Sequence, residues 1–368
     1  MSISLRDKFY GCICGSHIGS AMGAVVEGWS WEKIEEVYGT LDKLLPYEHY
    51  NNGWMREAGT TEDGIDRQKL MITAIIEKGG RITAEDLRKI WARDIREDAP
   101  GGVSEPFEGV LHKISKTTVP AKEIGRYCDY ANLVTLSRSG HPLAMINAGN
   151  IQSTIEDVME VGQVYHYSNT RALRWACVTC VGISSAMLPD ATVDSVLEAI
   201  FDNLDYRKMA EADDVHRDYA GMYPVDELKR ALAATKDCKD HRDLRKALSM
   251  LYNGTGMPYA MAFANEVVTK GICVFRMCAG DVKKAVITAV NLGRDTDCTA
   301  AVAAGLCGAL GGSSSIPEEW IKQVDYATSV HRFTNSKRTL RENADGLYEA
   351  FQKKLDYYRE YSNTMDIE

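Results

Sequence analysis

The chain has 368 residues, of which 45% are hydrophobic and 26% charged, as in a globular protein with a buried core. Its net charge of −9 argues against nucleic acid or an anionic membrane as the main partner, because both require a basic face. The longest apolar run, roughly 299–310, is shorter than the about 20 residues that a membrane-spanning helix needs.

The ten cysteines and the N-terminus both favour a reducing compartment. Most cysteines lie in apolar surroundings, and the opening residues MSISLRDKF carry charge with no apolar stretch behind them, so we expect no secretory signal and a cytoplasmic protein. Cys177 and Cys180 form a CxxC inside the helical run ALRWACVTCVGISSAML, with no second pair nearby. This context favours packing over metal or redox use.

The first predicted element is a helix with a glycine every fourth residue. The segment GCICGSHIGSAMGAVVEG carries Gly11, Gly15, Gly19 and Gly23, which form one smooth stripe on a helix. Each glycine costs a helix about 1 kcal/mol relative to alanine, so the stripe needs a packing partner. The spacing is not GxGxxG and no strand precedes it, which argues against a dinucleotide site. The small-residue run 299–312 is the expected partner, and their contact would bring Glu27 near Asp295 and Asp297.

Further helices are predicted along the rest of the chain. Apolar residues recur at helical spacing in GIDRQKLMITAIIEKGG and GDVKKAVITAVNLG, and Thr83 with Asp86 resembles a capping box. No convincing run of alternating strand residues is found. The sequence therefore predicts an all-α fold, with one domain spanning 1–368. The charged stretch 203–250 is interpreted as helices and loops inserted within that domain.

Two acidic groups stand directly before predicted helices. In TTEDGID, the residues Thr61, Glu62 and Asp63 could be a first turn favoured by the helix dipole. In NLGRDTDCTA, Asp295 and Asp297 are one residue apart and repel each other unless a cation or water lies between them. Magnesium prefers such oxygen ligands. The alternative is that Asp297 only caps the following helix.

The order of these motifs resembles the ADP-ribosylglycohydrolase family, which includes dinitrogenase-reductase-activating glycohydrolase and the ADP-ribosyl-acceptor hydrolases. The resemblance runs from about Lys8 to Trp320. It is carried by the glycine segment, by TTEDGIDRQKLMITAIIEKGG and by GMPYAMAFA. The most specific part is VNLGRDTDCTAAVAAGLCGALGGSSSIPEEW, which contains the acidic pair, a small-residue helix and a Pro-Glu-Glu-Trp.

The resemblance implies an orthogonal multi-helix domain with a central cleft that holds two magnesium ions, or manganese in their place. The implied reaction is hydrolysis of the bond from C1 of a ribose to nitrogen or oxygen, in an ADP-ribosylated or related small glycoside. Asp295 belongs to the implied catalytic group, and Asp63 or Glu27 would accept the proton of the attacking water. A monomer or weak oligomer is expected. The implied metal ligands are Thr61, Glu62, Asp63, Asp295, Asp297 and the residue at the family's hydroxyl position, Cys298.

Several positions depart from the family pattern. Thr-Asp-Asp-Thr is here Thr-Glu-Asp-Gly, ending in Gly64, and a sulfur at Cys298 suits magnesium poorly, so we expect one ion to bind weakly. Alternatively, Cys298 turns into the core and Thr299 supplies the hydroxyl. Arg294 replaces a glycine. We expect it to face the cleft and bind a phosphate or carboxylate of the substrate, with a salt bridge to a surface acid as the alternative.

The family's diphosphate loop is only faintly present, in NAGNIQS (147–153), where Gly149 and Asn150 are the candidate substrate-binding residues. Two alternatives therefore stay open. One is a hydrolase of a glycoside without ADP-ribose. The other is a non-catalytic structural protein of the same fold, like the jellyfish crystallins.

Overall fold

The structure, a computed structural model, describes residues 3–48, 53–96, 106–128, 132–167, 170–204, 223–252, 261–331 and 334–365. In this part of the chain the protein is helical, apart from a two-residue antiparallel pair, β1 (Tyr47–Glu48) and β2 (Met55–Arg56). The predicted all-α class is confirmed. The first ten α-helices are α1 (Leu5–Gly23), α2 (Trp31–Tyr38), α3 (Asp63–Lys78), α4 (Ala84–Asp94), α5 (Pro106–Ser115), α6 (Thr135–Ser139), α7 (His141–Ile146), α8 (Ile151–Val161), α9 (Arg171–Ala186) and α10 (Val193–Asn203).

Seven further α-helices and three 3-10 turns complete the described elements. The turns are Ala24–Val26, Ala121–Tyr127 and Gly162–Val164. The remaining helices are α11 (Pro224–Ala234), α12 (His241–Leu251), α13 (Ala264–Cys278), α14 (Val282–Val290), α15 (Thr296–Gly311), α16 (Glu318–Val330) and α17 (Leu340–Thr364).

Helices α1 and α15 pack antiparallel with their backbones in contact, as the glycine stripe predicts. A Cβ added at Gly11 would lie 2.5 Å from the carbonyl carbon of Gly312, and one at Gly19 would lie 2.5 Å from the carbonyl oxygen of Ala300. We call this contact, from Gly11 to Gly23 of α1, the glycine seam. It lies at the centre of the molecule, because α13 and α14 pack on α15 while α17 packs on α1 through rings such as Phe9 and Tyr348, whose centroids are 5.5 Å apart.

Local signals in the sequence account for several helix starts. Thr83 and Asp86 form the predicted capping box at the start of α4. The side chain of Asp281 accepts a hydrogen bond from the Lys284 amide (2.9 Å) and so caps α14. Cys177 and Cys180 are fully buried within α9 and form no disulfide, and burial raises the pKa of Cys180 well above its ordinary value. Their surroundings agree with a packing role.

The charged stretch 203–250 falls partly outside the described residues, at 205–222. Of its described part, α11 and α12 are amphipathic helices, and α11 packs on α13. The Glu227 carboxylate accepts hydrogen bonds from the Tyr252 hydroxyl (2.5 Å) and the Asn265 amide (2.9 Å). These contacts tie the stretch to the helical core, and a single domain over 1–368 stays a prediction.

One helical segment among the described residues, Leu5–Val26, is long and apolar enough by composition to cross a membrane. The most apolar 18-residue stretch of this segment is 94% buried inside the protein. A core helix of a soluble protein passes the same test, and the glycine seam gives this helix its place in the core.

Candidate active site

The acidic end of the glycine seam is built by backbone contacts between two turns. The Gly28 amide donates to the Arg294 carbonyl (2.9 Å), and the Arg294 amide donates to the Trp29 carbonyl (2.7 Å). The Thr296 hydroxyl donates to the Gly23 carbonyl (2.8 Å) at the end of α1. These bonds hold the residue before Gly28, which is Glu27, beside the start of α15, as the sequence predicted.

Asp295 and Asp297 have different roles at the start of α15. Asp295 is the N-cap, and its carboxylate accepts a hydrogen bond from the Cys298 amide (3.3 Å). Asp297, which the sequence offered as the alternative cap, lies in the first turn and is 2% exposed. Its Oδ1 has no hydrogen-bond donor among the described residues. A buried carboxylate oxygen of this kind needs a water molecule or a cation as its partner.

The charges at this end of the seam act on each other. Burial raises the pKa of Asp297 well above its ordinary value, and the charge of Asp295 raises it further. Burial likewise raises the pKa of half-buried Glu27, with additional effects from Asp297, Asp295, Glu62 and Asp63. We call these five carboxylates the acidic cluster. Their mutual repulsion disfavours the fully ionised state in the absence of a cation.

The first acidic motif joins the cluster from α3. The Glu62 amide donates to Ser20 Oγ on α1 (3.2 Å). Glu62 occupies the N-cap position of α3, but its side chain makes no capping bond. Its carboxylate instead accepts a hydrogen bond from the Tyr47 hydroxyl and lies 3.7 Å from Arg56 Nε. The motif thus begins α3, with Asp63 in its first turn, but the side chain of Glu62 does not cap the helix, and Thr61 lies buried immediately before Glu62.

Arg138 is a residue of the cluster that the sequence analysis missed. It comes from α6, in the segment VTLSRSG, to which no role was assigned. Its Nη2 forms an ion pair with Asp63, and its Nη1 donates to Cys298 Sγ (3.1 Å). Gly64, where the family pattern has a threonine, is the sequence feature related to this arginine, because a Cβ at Gly64 would lie 2.6 Å from Arg138 Cδ. A lone arginine in sequence does not reveal such a contact.

Cys298 is buried at the border between the acidic cluster and the hydrophobic core. Its thiol lies 3.5 Å from Asp297 Oδ2, and burial raises its pKa well above the ordinary value, which keeps the sulfur protonated. Asp295, Asp297 and Cys298 each offer a ligand atom, and these atoms lie within 4.8 Å of one another. The Thr299 hydroxyl donates to the Asp295 carbonyl (2.6 Å).

Arg294 forms a salt bridge with a carboxylate of the protein. Its Nε and Nη2 donate to the two carboxylate oxygens of Glu266, at 2.6 and 3.0 Å. Glu266 is a buried residue of α13 that also accepts from Lys270 Nζ (2.6 Å). The salt bridge of the alternative is thus made to an interior acid rather than to a surface acid. The interior carboxylate holds the guanidinium, and Arg294 adopts a left-handed backbone with φ of 69°.

Gly149 and Asn150 lie at the opposite end of α1. Asn150 caps α8 by accepting from the Ser153 amide (3.0 Å), and a Cβ on Gly149 would lie 2.9 Å from Leu188. The Leu188 carbonyl accepts from Lys8 Nζ (2.6 Å), in the first turn of α1. Gly23, beside the acidic cluster, is about 22 Å further along that helix. The structure therefore does not bring Gly149 and Asn150 to the cluster. Their Gly-Asn sequence forms the cap of α8 instead.

A buried polar network around Gln68 contacts the backbone of Arg138. Gln68 Nε2 donates to the Arg138 carbonyl (2.8 Å) and to Ser16 Oγ on α1 (2.7 Å), and it lies 3.2 Å from His141 Nδ1. Burial lowers the pKa of His141 to about 4, so this ring is neutral near pH 7. The network fixes the backbone from which Arg138 reaches the cluster.

The fold and the site together define an all-helical protein whose central helix pair ends in a buried acidic cluster. A model of the ADP-ribosylglycohydrolase family matches residues 1–356, and the chain belongs to that family of glycosidic hydrolases. It is 24% identical to the uncharacterized protein YegU of Escherichia coli, over 91% of this chain and 99% of that protein. It is 20% identical to ADP-ribosylhydrolase ARH3 of Gallus gallus, over 90% and 93% of the two chains.

A solved structure described as an ADP-ribosylglycohydrolase-related protein complex has the same fold. Its TM-score is 0.62 at 17% identity, covering 95% of this chain and 98% of that one.

Proposed function

We propose that the protein is a metal-dependent hydrolase that cleaves a ribosyl N- or O-glycosidic bond in an ADP-ribosylated or related small glycoside. Family membership supports the glycosidic reaction. The single observation that carries the metal dependence is Asp297 Oδ1, a buried carboxylate oxygen with no donor among the described residues. A divalent cation would satisfy this oxygen and neutralise its neighbours.

The residues of the cluster fit a hard cation. Carboxylate and hydroxyl oxygens are the donors that magnesium prefers, and manganese accepts the same set. In our proposal Asp295 and Asp297 hold the ion together with oxygens from the α3 side, among Thr61, Glu62 and Asp63. When bound, the ion would polarise ribose hydroxyls and stabilise developing charge.

Glu27 is the proposed general base. The carboxylate of Asp63 forms an ion pair with Arg138, and Asp297 is buried, so neither is well placed to accept a proton from a water molecule. Glu27 is half-buried at the edge of the cluster, where water reaches it. Its carboxylate would take the proton as the water attacks C1 of the ribose. Of the two candidates that the sequence left open, the geometry favours Glu27.

The substrate class follows from the family, but one observation favours a second candidate. Gly149 and Asn150, which resemble the diphosphate loop, lie at the far end of α1 from the cluster. A simple riboside without the diphosphate therefore stays a candidate beside ADP-ribosylated compounds.

The test is a hydrolysis screen with magnesium, with manganese and with EDTA. The substrates are ADP-ribosyl-arginine, ADP-ribosyl-serine, O-acetyl-ADP-ribose and simple ribosides. We expect at least one to be cleaved with metal, little cleavage in EDTA, and at least a 100-fold loss in Asp297→Asn. Asp281→Asn is the matched control, since Asp281 is an exposed cap residue of α14. No cleavage of any substrate with either metal would contradict the proposal and favour a non-catalytic structural protein.

A further inference from the structure

The guanidinium of Arg138 lies between the two acidic motifs, in contact with Asp63 and Cys298. We propose that its guanidinium takes the place of one of two divalent ions, so that the cluster holds a single ion on the Asp295–Asp297 side. This inference rests on the metal dependence proposed above. It concerns how many ions the cluster binds and which residue sets that number.

The guanidinium connects the two halves of the site. Its Nη2 is paired with Asp63 on α3, while its Nη1 donates to Cys298 on α15. Arginine stays charged at any pH that the protein survives, and its planar fork contacts two acceptors at once. Arg138 therefore supplies a fixed positive charge between the two acidic motifs.

Two departures from the family pattern fit this guanidinium. At Gly64 an added Cβ would lie 2.6 Å from Arg138 Cδ and 2.8 Å from its Nε, so a larger residue would obstruct the arginine side chain. At Cys298 the sulfur is a poor ligand for magnesium, yet it accepts a hydrogen bond from the arginine. Both Gly64 and Cys298 are thus compatible with the guanidinium of Arg138 as their neighbour, in place of a metal ion.

The carboxylates that are not paired with an arginine can be neutralised by one divalent ion. Arg138 pairs with Asp63, and Arg56 lies beside Glu62, which also accepts from the Tyr47 hydroxyl. Asp295 and Asp297, on the α15 side, then remain to hold a cation. The side chains of Arg138 and Asp63 are only 10% and 9% exposed, so displacing the guanidinium would leave a buried charge without its partner.

The experiment counts manganese ions per chain by elemental analysis after equilibrium dialysis, with electron paramagnetic resonance on the same samples. We expect one uncoupled ion in the wild type. We expect two ions with a magnetically coupled spectrum in Arg138→Met, which removes the charge and keeps most of the stem. Arg81→Met is the matched control, because Arg81 pairs with Asp157 on α8 outside the cluster, and it should bind one ion.

Arg138→Lys keeps a positive charge in case Arg138→Met does not fold. One ammonium cannot hold both Asp63 and Cys298, so a second ion should bind, with at least tenfold lower affinity than the first. Two ions in the wild type, or one ion in every Arg138 variant, would overturn the inference and leave the proposed function intact. No ion in any variant would overturn both.

Discussion

The glycine seam and the acidic cluster lie on the same pair of helices, α1 and α15, and they differ in how their polar groups are satisfied. In the seam, small residues let two backbones touch, and the helices satisfy their own hydrogen bonds. In the cluster, carboxylates are buried closer together than their charges favour, and Asp297 Oδ1 has no donor among the described residues. The seam adds stability through close packing, whereas the buried charges of the cluster lower stability unless the proposed cation binds.

The largest expected effect comes from filling the seam. In Gly15→Ala the new Cβ would lie 2.6 Å from the carbonyl carbon of Ala304, so the helices must separate. We expect a loss of about 3 kcal/mol in the free energy of unfolding, after the gain in helix propensity of about 1 kcal/mol. Urea denaturation measures it.

The matched control for this substitution is Gly80→Ala. A Cβ at Gly80 meets nothing within 4 Å among the described residues, and we expect a change within about 0.5 kcal/mol. Equal stability of Gly15→Ala and Gly80→Ala would show that the backbones are not in contact.

The second prediction concerns the substitution Asp297→Asn, which removes one negative charge from the acidic cluster, in the absence of metal. The folded state raises the pKa of Asp297, so above the ordinary pKa of an aspartate its charge destabilises the folded state. Asp297→Asn should therefore raise the free energy of unfolding in EDTA at pH 7, by about 1–2 kcal/mol. Chemical denaturation with excess chelator is the measurement. A loss of stability in EDTA would mean that the carboxylate is a structural group.

These two regions also differ in how far the sequence could predict them. The seam and the meeting of Glu27 with Asp295 follow from residue spacing along two helices, so the sequence was sufficient. The contacts of Arg138 with Asp63 and Cys298 join positions 75 and 160 residues apart, and helical periodicity says nothing about them. The capping role of Asn150 could not be told from a phosphate-binding role, because a cap and a phosphate-binding turn use the same residue types.

The third prediction concerns Arg294, at the border of the cluster. Arg294→Gly relieves the left-handed backbone strain of a non-glycine residue but removes both hydrogen bonds to Glu266. The side chain is 33% exposed, which weakens the pair, so we expect a net loss of about 1 kcal/mol. Thermal denaturation and a magnesium titration should show lower stability with unchanged metal affinity. Lower metal affinity with unchanged stability would place Arg294 in the metal site instead.

The smallest effect concerns His141, the neutral ring that packs on the seam. A Cβ on Gly305 of α15 would lie 2.6 Å from its Cδ2. Its folded-state pKa is lowered to about 4 by burial, so between about pH 6.5 and 4 the unfolded chain binds the extra proton, and stability falls as the pH falls. Between pH 7 and 6 this group contributes less than about 1 kcal/mol.

The measurement is the difference in unfolding free energy between pH 7 and pH 6, compared for the wild type and His141→Gln. The variant should lose part of the pH dependence, whatever its stability at pH 7. An unchanged difference would mean that His141 titrates equally in the folded and unfolded states.

The central claim is that the acidic end of the helix pair binds a divalent cation, and thermal melting with and without magnesium tests it most directly. At a magnesium concentration of about 100 Kd, the wild type should gain about 2.7 kcal/mol relative to EDTA, with a corresponding rise in Tm. Asp297→Asn should lose most of that rise, while Asp281→Asn should retain it. An equal Tm for the wild type in magnesium, manganese and EDTA would contradict the claim.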